Sequence, residues 1–406
     1  MQEPDDAAAP VNPRPVLTVF AATTFTVAAV LPSFMLGGLA SLMRADLHFD
    51  EARLGLAVGA FYGASALAAV PGGRLAERLG ARTSFIIGVG LAVSSLGGIA
   101  LLASSWAHLV PFLALAGGSN GVTQSAASLA IARGVPPRRR GVAFAIKQSA
   151  VPTASLLAGL AVPLIGLTIG WRWAFGLGAI AAMGLLAILP AREPRQATVV
   201  AEPHVRVRFE RRELRELIIV AVASGCGAVA ANSMGAFYVE SAVSNGQQLA
   251  LAGLMLSFGS IAGILTRLGL GWFADRSAFD PLRVAGAMMV VGTLGFLVLG
   301  YGEGVGALLV GTLLAFSAGW GWPGLMQLAV VSEHLHAPAS ASGIAHAGAL
   351  SGGLIGPIAF GWVVAQLGYT TGWTMVAVVA FCGGSLLLFE RRSVERSVPA
   401  SANVGS

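Results

Sequence analysis

The sequence predicts an all-α integral membrane protein whose twelve transmembrane helices form two pseudo-symmetric six-helix bundles. Hydrophobic residues make up 55% of the chain and charged residues only 11%, whereas about 25% of a soluble domain is charged. The apolar runs are long enough to cross a hydrocarbon core of roughly 30 Å. The segment GRLAER at 73–78 also returns as GWFADR at 271–276, which indicates that one half-molecule was built twice.

The helices are predicted from apolar runs of about 20 residues, each bounded by charged, glycine-bearing or proline-bearing loops. We number them as spans 1 to 12: 16–40, 52–72, 82–104, 108–132, 141–167, 171–190, 215–240, 249–273, 282–301, 304–332, 341–367 and 370–389. The halves are then an N-terminal bundle (16–190) and a C-terminal bundle (215–389), joined by a cytoplasmic linker (191–214). Segments 1–15 and 390–406 are predicted to be cytoplasmic tails, the first of them disordered. Segment 1–15 lacks the basic start of a cleaved signal peptide, so span 1 is expected to be an uncleaved anchor.

The basic residues predict the orientation of the chain in the membrane. Most of the 25 arginines and lysines fall in the tails, in the linker and in the loops after the even-numbered spans. Loops rich in arginine and lysine stay in the cytoplasm. The sequence therefore predicts a multi-pass protein of the cytoplasmic (inner) membrane with both termini in the cytoplasm.

The loops after spans 2 and 8 share a pattern of glycine, acid and arginine. The first copy contains Gly73, Glu77, Arg78 and Arg82, and the second contains Gly271, Asp275 and Arg276. Twelve spans with two such loops resemble the major facilitator superfamily. The resemblance implies a transporter whose halves rock about a central cavity lined by spans 1, 4, 7 and 10, with spans 2, 5, 8 and 11 beside it.

These seven loop residues are predicted to form a gate. Small glycines allow neighbouring helices to approach closely, and the acids can meet a helix N-terminus or an arginine across the gate. The alternative is that both loops simply anchor the chain on the cytoplasmic side.

Two cations lie inside predicted spans, where a charge is costly. Lys147, the single lysine of the chain, lies in span 5, and Arg267 lies in span 8. A charge at the centre of a membrane helix costs about 2.5–3.5 kcal/mol on insertion scales, so it usually faces a partner or a cavity. The spans expected to line or flank the cavity hold no carboxylate at comparable depth, so we expect an anionic substrate between the two cations. The alternative is that Lys147 extends to the inner interface and Arg267 bonds backbone carbonyls.

A narrower resemblance concerns span 8. The pattern Arg267-x-x-x-Gly271-x-x-Ala274-Asp275 resembles the monocarboxylate and oxalate/formate-type transporters, and it implies that Arg267 binds a substrate carboxylate. Two features depart from that pattern. Gly263 stands where animal monocarboxylate carriers place an acid, and span 1 has no lysine. Proton coupling by the route of those carriers is therefore not implied.

Neutral polar and aromatic residues complete the predicted substrate site. They are Asn120 in span 4, Asn232 and Tyr238 in span 7, and Trp322 in span 10. The alternatives are interhelical hydrogen bonds for the amides and packing for the tryptophan. His346 in span 11 is a possible proton carrier because histidine titrates near neutrality. Its repeat mate is Phe144, however, and we predict that His346 is dispensable.

The sequence thus predicts a secondary active transporter of a small organic anion, a monocarboxylate, working by a rocker-switch cycle with proton coupling. The alternative is a drug or metabolite exporter of the same superfamily. No nucleophile–base pair, metal triad or phosphate-binding loop appears in the sequence, so we expect no enzyme activity, cofactor, metal or nucleic acid. The expected partners are the anion, a proton and the lipid bilayer, and the expected state is a monomer. Cys226 and Cys382 are expected to be inert thiols.

Overall fold

The computed structural model describes residues 15–136, 139–189, 209–274, 276, 279–334 and 337–397. Within these ranges the regular structure is helical and contains no strand, which confirms the predicted all-α class. The predicted tail 1–15, except for its last residue, lies outside the described residues, as do most of the linker and gate residue Asp275.

The helices follow the predicted spans closely, with some spans merged and others divided. Their bounds are Pro15–Leu47, Glu51–Leu102, Trp106–Gly134, Arg140–Gln148, Ala150–Ala161, Trp171–Gly184, Arg211–Ser244, Leu249–Ala274, Pro281–Tyr301, Gly304–Leu314, Pro323–Glu333 and Pro338–Ser397. Among the described residues, nine helical stretches are long and apolar enough to cross a membrane. Two of those stretches contain 52 residues each, which at about 1.5 Å per residue is more than twice the thickness of a bilayer core.

Both of the long helices turn back at a glycine. Gly80 has φ 81° and ψ 163°, and Gly368 has φ 82° and ψ 168°. A residue with a side chain rarely adopts such positive φ angles, so glycine permits the reversal. Each long helix therefore holds two spans, the second with the third and the eleventh with the twelfth. The helix Trp106–Gly134 provides span 4 and completes the twelve predicted spans.

Span 10 is broken in its middle. The helix Gly304–Leu314 continues into a π-helical turn, Ala315–Gly319, and regular helix resumes only at Pro323. Proline has no backbone N–H, and its ring clashes with the carbonyl of the residue four positions earlier, here Gly319, which explains why the helix is interrupted before Pro323. Trp320 has φ −122° and ψ 0° in this break. Irregular backbone at membrane depth is tolerated where it is buried in protein or lines a cavity.

Close contacts between the two halves lie towards one face of the molecule. Following the orientation predicted from the arginines, we call the face near the end of span 1 the outer face. A Cβ atom added at Gly37 would lie 2.4 Å from the carbonyl oxygen of Gly235, and one at Gly159 would lie 2.5 Å from that of Gly253. These glycines bring span 1 against span 7 and span 5 against span 8 through direct backbone contact. We call this boundary the outer seam, and the structure is closed along it.

Candidate substrate site and gate

Arg267 in span 8 is held by the broken segment of span 10. Its Nη2 donates a hydrogen bond of 2.5 Å to the carbonyl oxygen of Trp320, and its guanidinium carbon lies 5.4 Å from the centroid of the Trp320 ring. The Nε and Nη1 atoms are buried and have no hydrogen-bond partner among the described residues. Two of the three guanidinium nitrogens thus lack a hydrogen-bond partner among the described residues.

Lys147 lies near the end of the helix Arg140–Gln148, and its side chain is buried. In the part of the chain that the structure describes, no hydrogen bond or ion pair involves its ammonium group. His346 in span 11 of the other half lies near enough for its charge to interact with that of Lys147. A buried ammonium group without a carboxylate is costly, and this cost favours an anion beside it.

Two predicted site residues retain a buried polar atom without a partner. The Asn120 Nδ2 atom donates to Ser65 Oγ at 2.8 Å, whereas its Oδ1 atom has no partner within the described residues. The Trp322 indole Nε1 atom is likewise unpartnered there. The Trp322 ring lies so close to span 7 that a Cβ added at Gly227 would come within 2.3 Å of it. Buried polar atoms are nearly always hydrogen-bonded in folded proteins, so these exceptions need an explanation such as water or a ligand.

The two predicted residues of span 7 are already satisfied by protein groups. Asn232 donates from Nδ2 to the Ala228 carbonyl oxygen at 2.8 Å and accepts at Oδ1 from the Tyr62 hydroxyl. The Tyr238 side chain is fully buried, and its hydroxyl bonds that of Thr312. Tyr238 lies nearer the outer face and packs within its own half, so the structure does not bring it to the surface that holds Arg267. Asn232 instead contributes a hydrogen bond between the halves.

Three further aromatic residues lie beside this site. The Trp320 ring stacks on Phe34 of span 1 with centroids 5.8 Å apart, and it therefore joins Arg267 to the opposite half. Tyr62 of span 2 reaches span 7 across the same boundary. Nothing in the sequence pattern distinguishes Phe34 or Tyr62 from aromatic residues that only pack within an apolar span.

Neither predicted gate glycine contacts the opposite half among the described residues. Gly271 has open space where a Cβ would stand, and a Cβ at Gly73 would meet only Ser125 Oγ of its own half at 4.0 Å. Within the described part of the chain, the close helix approach predicted at these two glycines is therefore not seen in this conformation, which is closed at the outer face. The remaining gate residues are distributed as follows: Glu77 and Arg78 are exposed, Arg82 is half-buried, Arg276 lies over the Trp272 ring at 4.1 Å, and Asp275 lies outside the described residues.

Comparisons with known proteins agree with the superfamily predicted from the loops. The family model described as Major Facilitator Superfamily matches residues 22–347. A chloramphenicol resistance protein of Streptomyces lividans is 25% identical over 388 residues, covering 91% of this chain and 95% of that protein. The crystal structure of a D-xylose–proton symporter superposes with a TM-score of 0.75 at 17% identity, covering 92% of this chain and 97% of the other. This last likeness shows the fold alone, and the narrower resemblance to monocarboxylate carriers stays a prediction. Since the family match spans most of the chain, the protein belongs to the Major Facilitator Superfamily and is a multi-pass membrane transporter.

Proposed function

We propose that the protein is a secondary active transporter of a small organic anion, a monocarboxylate, in the cytoplasmic membrane with both termini in the cytoplasm. The observation that carries this proposal is the state of Arg267, which has two buried nitrogens without partners among the described residues. Charge-assisted hydrogen bonds from a guanidinium to a carboxylate are about twice as strong as neutral ones. Lys147, buried and without an ion pair in the described chain, supplies a second positive charge.

The proposed cycle is a rocker switch between the two halves. The outer seam is closed through backbone contacts at Gly37 and Gly159, and opening it requires the halves to tilt apart there. The gate loops around Arg78 and Arg276 would meet when the inner side closes. Trp320 contacts both Arg267 and Phe34, so it links the anion site to the boundary that must move.

A second candidate function is export of a neutral drug-like compound. The similarity to a chloramphenicol resistance protein over most of both chains favours it. Chloramphenicol carries no carboxylate, so its binding would depend on aromatic surfaces such as those of Trp320 and Trp322 rather than on the charge of Arg267.

Counterflow in proteoliposomes distinguishes the two functions. Purified protein would be reconstituted, loaded with unlabelled benzoate or pyruvate, and assayed for accumulation of the labelled acid. We expect counterflow in the wild type and a loss of at least about tenfold in Arg267→Lys, because lysine lacks the planar fork of arginine. The matched control is Arg212→Lys, since Arg212 is an exposed arginine paired with Glu216 at 3.0 Å.

A parallel assay with labelled chloramphenicol tests the exporter. Counterflow of chloramphenicol that survives Arg267→Lys, together with no counterflow of either acid, would replace the anion proposal with the exporter.

A further inference from the structure

A cluster of charged side chains crosses the outer seam, far from Arg267. Arg44 at the end of span 1 donates from Nη1 to Glu51 Oε1 at 2.6 Å and from Nη2 to Glu240 of span 7. Glu240 also accepts hydrogen bonds of 3.4 Å each from Ser41 Oγ and from the Tyr369 hydroxyl. Arg44, Ser41 and Glu51 belong to the N-terminal half, whereas Glu240 and Tyr369 belong to the C-terminal half. Glu240 therefore becomes enclosed only when the seam closes.

The charges of this cluster do not balance. Arg44 is the one cation that contacts Glu240 and Glu51 among the described residues, so two carboxylates share a single positive charge. The charged and titratable groups that face Glu240 are Arg44 from span 1, Glu51 from the start of span 2 and Tyr369 from the start of span 12. With both acids ionised, the closed seam holds one unbalanced negative charge.

Closure affects the two acids differently. Arg44 and Glu51 lie in the same half and stay paired when the halves separate, so Glu240 meets a pair that is already neutral. Its side chain is 5% exposed in the closed seam, against 20% for Glu51. Burial disfavours the charged form of a carboxylic acid. Closure therefore removes hydration from Glu240 without supplying it with an arginine of its own.

We propose that Glu240 is a proton-binding site of the transport cycle, and that the outer seam binds a proton there as it closes. A neutral Glu240 still shares hydrogen bonds with Arg44 and Tyr369 and removes the unbalanced charge. By linkage, the state that binds the proton more tightly gains population as pH falls. Acid therefore stabilises the closed outer seam. This inference rests on the proposed alternating-access cycle, but it does not depend on the identity of the substrate.

The test measures closure of the outer face without any substrate. Spin labels at Ala107→Cys and Gln248→Cys, both exposed outer positions in opposite halves, would report the distance between the halves after Cys226 and Cys382 are replaced by alanine. In the wild-type background we expect the closed population to rise at least threefold relative to the open one between pH 8 and pH 5. Glu240→Gln, which mimics the neutral acid, should favour the closed seam at both pH values and abolish the pH response.

Two further variants make the test specific. Glu51→Gln leaves Arg44 to Glu240 alone, so the cluster is balanced without a proton and its pH response should also disappear. The matched control is Asp46→Asn, because Asp46 is an outer carboxylate that accepts a 2.8 Å bond from Trp171 Nε1 within one half; this variant should respond to pH as the wild type does.

Different results would overturn the proposal. If acid or Glu240→Gln opens the seam, the cluster is an ionic latch and binds no proton on closing. A wild-type pH response in Glu240→Gln would likewise remove Glu240 as the site. Neither result would bear on anion binding at Arg267, so failure here and failure of the proposed substrate class are distinguishable.

Discussion

The outer seam and the region around Arg267 differ in whether carboxylates of the protein contact the buried cation. At the seam, Arg44 contacts carboxylates from both halves. Around Arg267 and Lys147, the described residues provide no carboxylate at all, and Arg267 bonds only a backbone carbonyl. The seam thus has two carboxylates for one arginine, whereas the two cations of the candidate site have no carboxylate partner among the described residues.

This difference also separates the two parts of the transport cycle. Closing the seam is a matter of protein contacts, namely glycine backbones at Gly37 and Gly235 and the cluster at Glu240. Filling the site, under the proposed function, requires the charge of an external anion. Two kinds of substitution therefore test this difference. One removes the cations of the candidate site, and the other prevents the outer seam from closing.

The largest expected effect comes from removing the two cations. Lys147→Ala and Arg267→Ala should each weaken carboxylate binding by about 1.5–3 kcal/mol, the typical contribution of hydrogen bonds to charged groups. The double variant should lose less than the sum, because both residues would contact one ligand. Isothermal titration calorimetry would measure the benzoate affinity of the wild type, the two single variants and the double variant. Strict additivity would show that the two cations act at separate places.

A steric change at the seam should have the next largest effect. In Gly37→Ala the new Cβ would lie 2.4 Å from Gly235 O and 2.8 Å from Ala236 Cα, and backbone atoms cannot rotate away. Overpacking of this kind costs roughly 1–3 kcal/mol, so the outer face should open in the spin-label assay. The matched control is Gly90→Ala, which adds its Cβ where nothing lies within 4 Å. If Gly37→Ala and Gly90→Ala have equal populations of the closed outer face, the seam tolerates separation of spans 1 and 7.

The gate loops should influence turnover more than affinity. Arg78→Ala and Asp275→Asn are expected to slow uptake by up to about fivefold, since an exposed ion pair contributes at most about 1 kcal/mol. Stabilisation of the protein by benzoate should stay at the wild-type level in both. A variant that loses binding while keeping its conformational balance would show that the latch assignment is wrong.

The smallest effect is expected at His346. It has no carboxylate beside it among the described residues, Lys147 lies close enough for the two charges to interact, and its repeat mate Phe144 cannot titrate. His346→Gln should therefore keep substrate binding, the uptake rate and the pH profile of uptake within about twofold of wild type. Uptake rates measured between acid and neutral pH test this prediction. Normal binding with a flat pH profile would identify His346, instead of Glu240, as the proton site.

The spans were predictable because each is an apolar run with its own boundaries. The tightness of the turns at Gly80 and Gly368 was not predictable: the sequence predicts loops there, whereas the helix runs almost to the glycine on both sides. Composition says which segments enter the bilayer, but the angle of a tight reversal depends on the packing of the two spans that it joins.

The candidate site was predictable in its charges and less so in its contacts. Lys147 and Arg267 were evident because a cation in an apolar run is exceptional. The partner of Arg267 is a backbone carbonyl at Trp320, freed by a helix break, and no pattern of side chains reveals such a group. The pairing of Arg44 with Glu240 joins residues far apart in the sequence, so it became visible only once the halves were placed together.

The central claim is that Arg267 binds the carboxylate of the substrate. Its most direct test is thermal unfolding of the purified wild type and of Arg267→Ala with benzoate and pyruvate, each compared with its uncharged amide. A bound ligand raises stability by RT ln(1 + [L]/Kd), so the claim predicts that an acid stabilises the wild type, that the amides do not, and that Arg267→Ala responds to neither. Wild-type stabilisation of Arg267→Ala by the acids would contradict it.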